Sequence, residues 1–257
     1  MFEAQNISFQ KNGKQLLNNI SCQIQAGFIT GVLGANGAGK STLLKILSHE
    51  YRPTKGNLYL DKQKLTQKDT IRLAKKRAII AQNENIITSL KVLDYVLLGR
   101  LAHNSAQYSE KDYISAYQAL AIVGAAKFTH ENYNTLSGGE RQIIQLARAL
   151  TQLDTGSHYS GYLLLDEFNS SMDIYHQQAT LELLKKLCKT NPLGILIICH
   201  DLNLAFKFFD NCILLKTGKL IASGNLDNVL TSENIYTAYQ IKSERVLIGN
   251  SYQICYL

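Results

Sequence analysis

The sequence offers few interruptions. Its 257 residues include two prolines, Pro53 and Pro192, and no linker, internal repeat or low-complexity tract divides the chain. Its apolar runs are short: a stretch such as "ILIIC" falls well below the ~20 residues that a membrane-spanning helix needs. Any membrane role therefore requires a separate partner. The start, "MFEAQNISFQKNGK", has no long apolar core, so a signal peptide is not expected. The cysteines Cys22, Cys188, Cys199, Cys212 and Cys255 are odd in number and form no C-x-x-C. A disulfide framework or zinc site is not expected; reduced thiols in a cytosolic protein are. The net charge of +7 is spread out, with Lys75-Lys76-Arg77 as the densest cluster. Without a basic stripe and interleaved aromatics, nucleic acid is not an expected partner.

What is present is a sizeable core. Hydrophobic residues make up 46% of the chain and charged ones 18%, the balance of a folded domain. "FITGVL", "RAIIAQ", "YLLLD", "GILIICH" and "NCILLKTGKLIASG" are short apolar strands bounded by polar residues, with helical spacing between several of them. Strands alternating with helices predict an α/β fold with a mostly parallel sheet covered on both faces. Residues 86–151 differ: "SLKVLDYVLLGRLAH", "SEKDYISAYQALAIVG" and "GGERQIIQLARALTQL" have helical spacing without strands. The expectation is a single domain over 1–257, with an α/β core of 1–85 and 152–257 and a helical subdomain of 86–151 inserted in it.

"GANGAGKST", residues 34–42, matches G-x-x-x-x-G-K-[ST]. Gly34, Gly37 and Gly39 let a loop turn its amides inward around phosphate oxygens, with Ala35, Asn36 and Ala38 between them. A helix starting at Lys40 adds its positive dipole end. In this pattern Lys40 reaches the β- and γ-phosphates, Ser41 ligates Mg²⁺, and Thr42 completes the loop. No Asn-Lys pair occurs, which counts against the guanine-reading N-K-x-D. Phe9, in the first strand, is a candidate to stack on adenine, although such an aromatic more often belongs to the core. Asp166 and Glu167 follow an apolar strand, where ligands collect in parallel sheets. One carboxylate for metal (Asp166) and one to polarise water (Glu167) suits hydrolysis of a nucleotide.

"LSGGERQ", residues 136–142, together with the phosphate loop and "LLLDE", resembles the nucleotide-binding subunits of ATP-binding cassette (ABC) transporters over essentially the whole chain. The resemblance implies a P-loop NTPase core, a helical subdomain and an N-terminal antiparallel β part. It implies ATP as substrate and Mg²⁺ as cofactor. It implies a head-to-tail dimer with a second copy, in which Ser137, Gly138, Gly139 and Asp173 reach the opposite ATP. It assigns Gln82 to sensing Mg²⁺ and water, and His200 to the γ-phosphate. It also implies membrane permease subunits, indirectly a substrate-binding protein, and a peripheral place on the cytoplasmic face of a bacterial inner membrane. The chain departs from the family with Phe168 and Asn169 where Pro and Thr are usual, and with Ala35 where Pro is frequent.

"VLLGRLAH" and "HDLNLA" resemble the branch serving importers of iron-siderophore complexes, haem and cobalamin. The polar loop "DTGSHYSG" and "SSMDIYHQQ" resemble the haem-import ATP-binding subunits in particular. No chemistry in those residues reads haem. The alternatives are the same role for a siderophore or cobalamin importer, or a soluble cassette ATPase in repair, assembly or translation. The latter usually carries a long coiled coil or two cassettes, and neither is present here. A non-hydrolysing structural subunit is disfavoured by Lys40, Asp166, Glu167 and His200.

Overall fold

The computed structural model describes residues 1–81, 89–103, 107–168, 172–248 and 251–257. Gln82 lies outside them. In chain order, β1 (Phe2–Lys11), β2 (Lys14–Ile24), β3 (Ile29–Leu33), α1 (Lys40–Leu47), β4 (Lys55–Leu60) and β5 (Gln63–Lys64) come first. Next are α2 (Thr70–Lys76), β6 (Arg77–Ile80), α3 (Val92–Leu97), α4 (Glu110–Ile122), α5 (Gly138–Leu153), β7 (Gly161–Asp166) and α6 (Ile174–Thr190). The chain ends with β8 (Leu193–Ile198), α7 (Leu202–Phe208), β9 (Asn211–Lys216), β10 (Lys219–Asn225), α8 (Leu226–Val229), α9 (Ser232–Tyr239), β11 (Ser243–Ile248) and β12 (Ser251–Tyr256). These elements fall into two compact units, one of Met1–Thr66 with Gly194–Leu257 and one of Gln67–Leu193.

The first unit holds two sheets. β1 and β2 form an antiparallel hairpin turned by Asn12 and Gly13, both with positive φ (52° and 74°), the conformation that an Asn-Gly turn supplies to twisted strands. β4 pairs with the other edge of β1, giving the order β2-β1-β4-β5. In the second sheet β3 lies between β8 and β9 and is parallel to both. All five residues of β3 and all six of β8 are buried. Such continuous apolar runs are what a parallel strand covered on both faces requires. β9 and β10 form an antiparallel hairpin. The expected N-terminal antiparallel part and parallel core are thus both present.

The C-terminal hairpin of β11 and β12 was not foreseen, because its residues are mostly exposed and carry no apolar run. It is tied down by side chains. Asn203 on α7 exchanges two hydrogen bonds with the backbone of Ile254, at 2.6 and 3.3 Å. Arg245 pairs with Asp227 and lies over the rings of Phe206 and Tyr252.

The second unit holds the parallel pair β6 and β7 and most of the helices. α5 is its central element, with one face of Ile144, Leu146, Ala147, Leu150 and Leu153 buried. Tyr95 and Tyr133 pack ring on ring at 4.3 Å between centroids, and Gln145 donates to the Tyr133 hydroxyl at 3.1 Å. Arg100 pairs with the buried Asp112 at 2.7 Å and donates to the carbonyls of Thr151 and Asp154. The polar stretch "DTGSHYSG" folds back on itself: Asp154 and Tyr159 form a β-bridge, and Asp154 accepts from the Gly156 amide at 2.8 Å. Among the described residues no helix is long and apolar enough to cross a membrane.

Candidate functional site

In the first unit, the phosphate loop leaves the end of β3 and enters α1. Gly34 has φ +144°, and a Cβ there would lie 2.3 Å from the carbonyl oxygen of Leu215. Gly39, the residue before α1, has φ +104°, and its Cβ would meet Leu17 at 2.8 Å. Both glycines are therefore required by backbone conformation and by close approach. No side chain caps α1 and no acidic residue lies in its first turn, so its amides stay available to an anion. Asn36, Gly37 and Ser41 are exposed, Ala35, Gly39 and Thr42 half-buried, and Ala38 and Lys40 buried. The Lys40 ammonium is folded across the loop, donating to the carbonyls of Gly34 (2.8 Å) and Ala35 (3.1 Å). A lysine held this way already stands over the cradle its amides form.

His200 follows β8, the parallel neighbour of β3, with Val32 opposite Ile198. The Cys199 amide donates to the Val32 carbonyl at 3.2 Å. His200 is exposed, and Asp201 after it caps α7 through the amides of Asn203 and Leu204. The first unit thus brings residues 34–42 and His200 to the same ends of adjacent strands, where ligands of parallel sheets collect. Phe9 is buried and stacked on Tyr51, with centroids 5.2 Å apart. Tyr51 is half-buried. Lys11 donates to its hydroxyl at 3.0 Å, and that bond and charge hold the phenol pKa below its ordinary value. Tyr51 escaped the sequence reading because nothing local links it to Phe9, 42 positions earlier.

In the second unit, β7 is buried throughout and ends in Asp166, itself 9% exposed. Glu167 has φ +48°, a left-handed conformation that costs a non-glycine residue about 1 kcal/mol or more and that clusters at functional sites. Phe168 is buried at 3% exposure. Burial of that side chain is worth about 2 kcal/mol. Asn169 lies outside the described residues.

Ser137 caps α5, and Glu140 completes a reciprocal box. The Glu140 carboxylate accepts from the Ser137 amide (2.8 Å) and hydroxyl (2.7 Å), and those bonds hold its pKa below the usual carboxylate range. Gly138 and Gly139 have ordinary helical backbone and are exposed and half-exposed. Asp173 caps α6, accepting from the His176 amide at 2.8 Å and lying 2.9 Å from its imidazole. In "IYHQQ", then, the histidine serves the cap, while Ile174 and Tyr175 are about three-quarters exposed.

Ser41 and Asp166 supply hard oxygen donors, a hydroxyl and a carboxylate, without sulfur or imidazole. Each is a donor of the kind Mg²⁺ takes, one or two protein oxygens with phosphate and water completing its shell. The sequence reading also missed Tyr239, whose hydroxyl accepts from the Gly34 amide at 2.8 Å across 205 positions of chain.

Comparison with known proteins gives this arrangement its context. The ABC transporter family model matches residues 17–169. The Hemin import ATP-binding protein HmuV of Gloeobacter violaceus is 37% identical over 244 residues, which are 95% of this chain and 88% of that protein. A metal-chelate-type ABC transporter solved in an inward-facing conformation superposes with a TM-score of 0.82 at 27% identity, covering 100% of this chain and 96% of that one. A dimeric ATP-binding cassette solved in a post-hydrolysis state with ADP and Pi gives 0.76 at 27% identity, over 88% and 99% of the two chains. The chain belongs to the ABC transporter family, as an ATP-binding and ATP-hydrolysing subunit.

Proposed function

We propose that the chain is the ATPase of an importer for haem, working as a head-to-tail dimer beneath membrane permease subunits that a substrate-binding protein feeds. The observation that carries this reading is the 37% identity, over 95% of the chain, to a hemin import ATP-binding protein. The metal-chelate-type neighbour supports the same substrate class. The domain is a single nucleotide-binding one, peripheral to the cytoplasmic face of the inner membrane.

Each site residue takes the role its own setting allows. The amides of residues 34–39 and the start of α1 bind the phosphates, and Lys40 leaves the Gly34 and Ala35 carbonyls for the β- and γ-phosphates. Phe9 backs the adenine subsite from behind Tyr51. Ser41 and Asp166, with Gln82, would hold Mg²⁺. When bound, Mg²⁺ screens the phosphate charge and orients the γ-phosphate. Glu167 orients and deprotonates the attacking water, and His200 steadies the γ-phosphate. Ser137, Gly138, Gly139 and Asp173 serve the ATP of the partner copy. ATP closes the dimer, and hydrolysis with phosphate release removes the bridging charge and opens it.

The test is reconstitution of the chain with the permease that co-purifies with it, in vesicles supplied with hemin-loaded binding protein. Hemin should stimulate ATP hydrolysis and accumulate inside. E167Q, in the same vesicles, should bind ATP, trap the dimer and lose turnover by about 100-fold or more, the lower range for loss of a general base. Stimulation by a siderophore or cobalamin instead of hemin would reject the cargo. Normal turnover of E167Q would reject the role of Glu167.

A further inference from the structure

The entrance of the phosphate loop has an unusual anchor. Gly34 is buried, and its φ of +144° lies in a region that side-chain-bearing residues rarely adopt. Both of its peptide groups are held. Its carbonyl accepts from Lys40 at 2.8 Å, and its amide donates to the phenol oxygen of Tyr239 at 2.8 Å. Tyr239 is the last residue of α9, which ends in the left-handed Gln240 (φ 59°). The two anchors differ in kind. When Lys40 turns to a phosphate it gives up the Gly34 carbonyl, whereas nothing in phosphate binding asks Tyr239 to leave. Burial, with Cys212, Cys199 and Tyr256 nearby, pushes the phenol pKa up. A neutral hydroxyl therefore remains in place to accept.

We propose that Tyr239 is a positioning residue for ATP binding: its hydroxyl holds the Gly34 amide and so fixes the first residue of the phosphate loop while Lys40 exchanges partners. The inference rests on the reading of residues 34–42 as the phosphate site. Without the hydroxyl, a buried amide loses its partner. The loop then relaxes toward a conformation in which its remaining amides no longer converge on one point. The effect falls on binding of ATP in ground and transition states alike, because Tyr239 reaches the phosphates only through the loop. It raises KM and leaves kcat.

The experiment compares full-length wild type, Y239F and K40A for ATP hydrolysis and for binding of a fluorescent ATP analogue. Y239F keeps the ring and removes only the oxygen, so its packing is preserved. KM for ATP and Kd for the analogue should rise about 3- to 10-fold, the range a single uncharged hydrogen bond supports. The kcat should stay within about two-fold, as expected for a loss of uniform binding. Amide hydrogen exchange at Gly34 should be slow in wild type and faster in Y239F. A merely structural tyrosine would lower the melting temperature and leave KM alone. Unchanged KM in Y239F, or a fall in kcat at constant KM, overturns the proposal while the phosphate-site reading stands. Undiminished ATP binding by K40A overturns both. Fast exchange at Gly34 in the wild type overturns the anchor directly.

Discussion

The chain contains two glycine-rich helix starts, at α1 and at α5, and they are held in opposite ways. At α1 the glycines are demanded by the chain's own structure: Gly34 and Gly39 have positive φ, and a Cβ on either would strike Leu215 or Leu17. No side chain caps the helix, and the loop is steadied by distant residues, Tyr239 and Gly218 among them. At α5 the hold is local. Ser137 and Glu140 close a capping box within four residues, while Gly138 and Gly139 are helical and need no special conformation. The glycines of the first start answer to this chain's own backbone, whereas those of the second carry no such demand, which suits the proposed approach of a group from a partner copy.

Substitution of one glycine from each start separates the two cases. G34A places a methyl against the Leu215 carbonyl in a forbidden backbone region, a cost of about 3 kcal/mol. The melting temperature should fall by roughly 6–12 °C for a chain of this size, and ATP binding should be lost. Both are read by thermal melts with and without nucleotide. G138A replaces a helical glycine by a better helix former, which favours the fold by up to about 1 kcal/mol. Its melting temperature should hold or rise by roughly 2–4 °C, and binding of ATP by the isolated chain should be unchanged. Turnover of the dimer should nevertheless fall by about ten-fold or more, because the added methyl occupies the approach of the opposite phosphate. A G138A protein with full dimer turnover would remove the contrast between the two starts.

The motifs were legible because their chemistry is written in adjacent residues. Residues 34–42, Asp166-Glu167 and "LSGGE" each form a local pattern, and each lands where the alternation of strands and helices places it. The helix boundaries follow the same logic: α5 occupies Gly138–Leu153, the quoted "GGERQIIQLARALTQL". What escaped is what depends on separation in sequence. Tyr239 meets Gly34 across 205 positions, and no pattern around either residue announces the other. The C-terminal hairpin is held by Asn203 and Arg245 rather than by an apolar face, so periodicity could not reveal it. Phe168 was visible only as a missing proline. Its side chain is buried, at 3% exposure.

A third helix start, at α6, gives the finest test, because there one residue carries two proposed duties. Asp173 caps the helix by accepting from the His176 amide, and the dimer reading also sends it toward a partner copy. Asparagine caps a helix about as well as aspartate, so D173N keeps the local duty and removes only the charge. The bonds from His176, the backbone amide first, hold the Asp173 pKa below its ordinary value. A depressed carboxylate contributes stability above the unfolded pKa, near 3.9, and loses it as pH falls through the native value. Wild type should therefore melt slightly above D173N at neutral pH, and the gap should close only below about pH 4. Because Asp173 is exposed to solvent and screened, that gap should be about a degree or less. If D173N matches wild type in stability but loses dimer turnover, the charge serves the partner and the cap serves the fold. If stability and turnover are both retained, Asp173 is a helix cap alone, and the outward-facing duties fall to Ser137, Gly138 and Gly139.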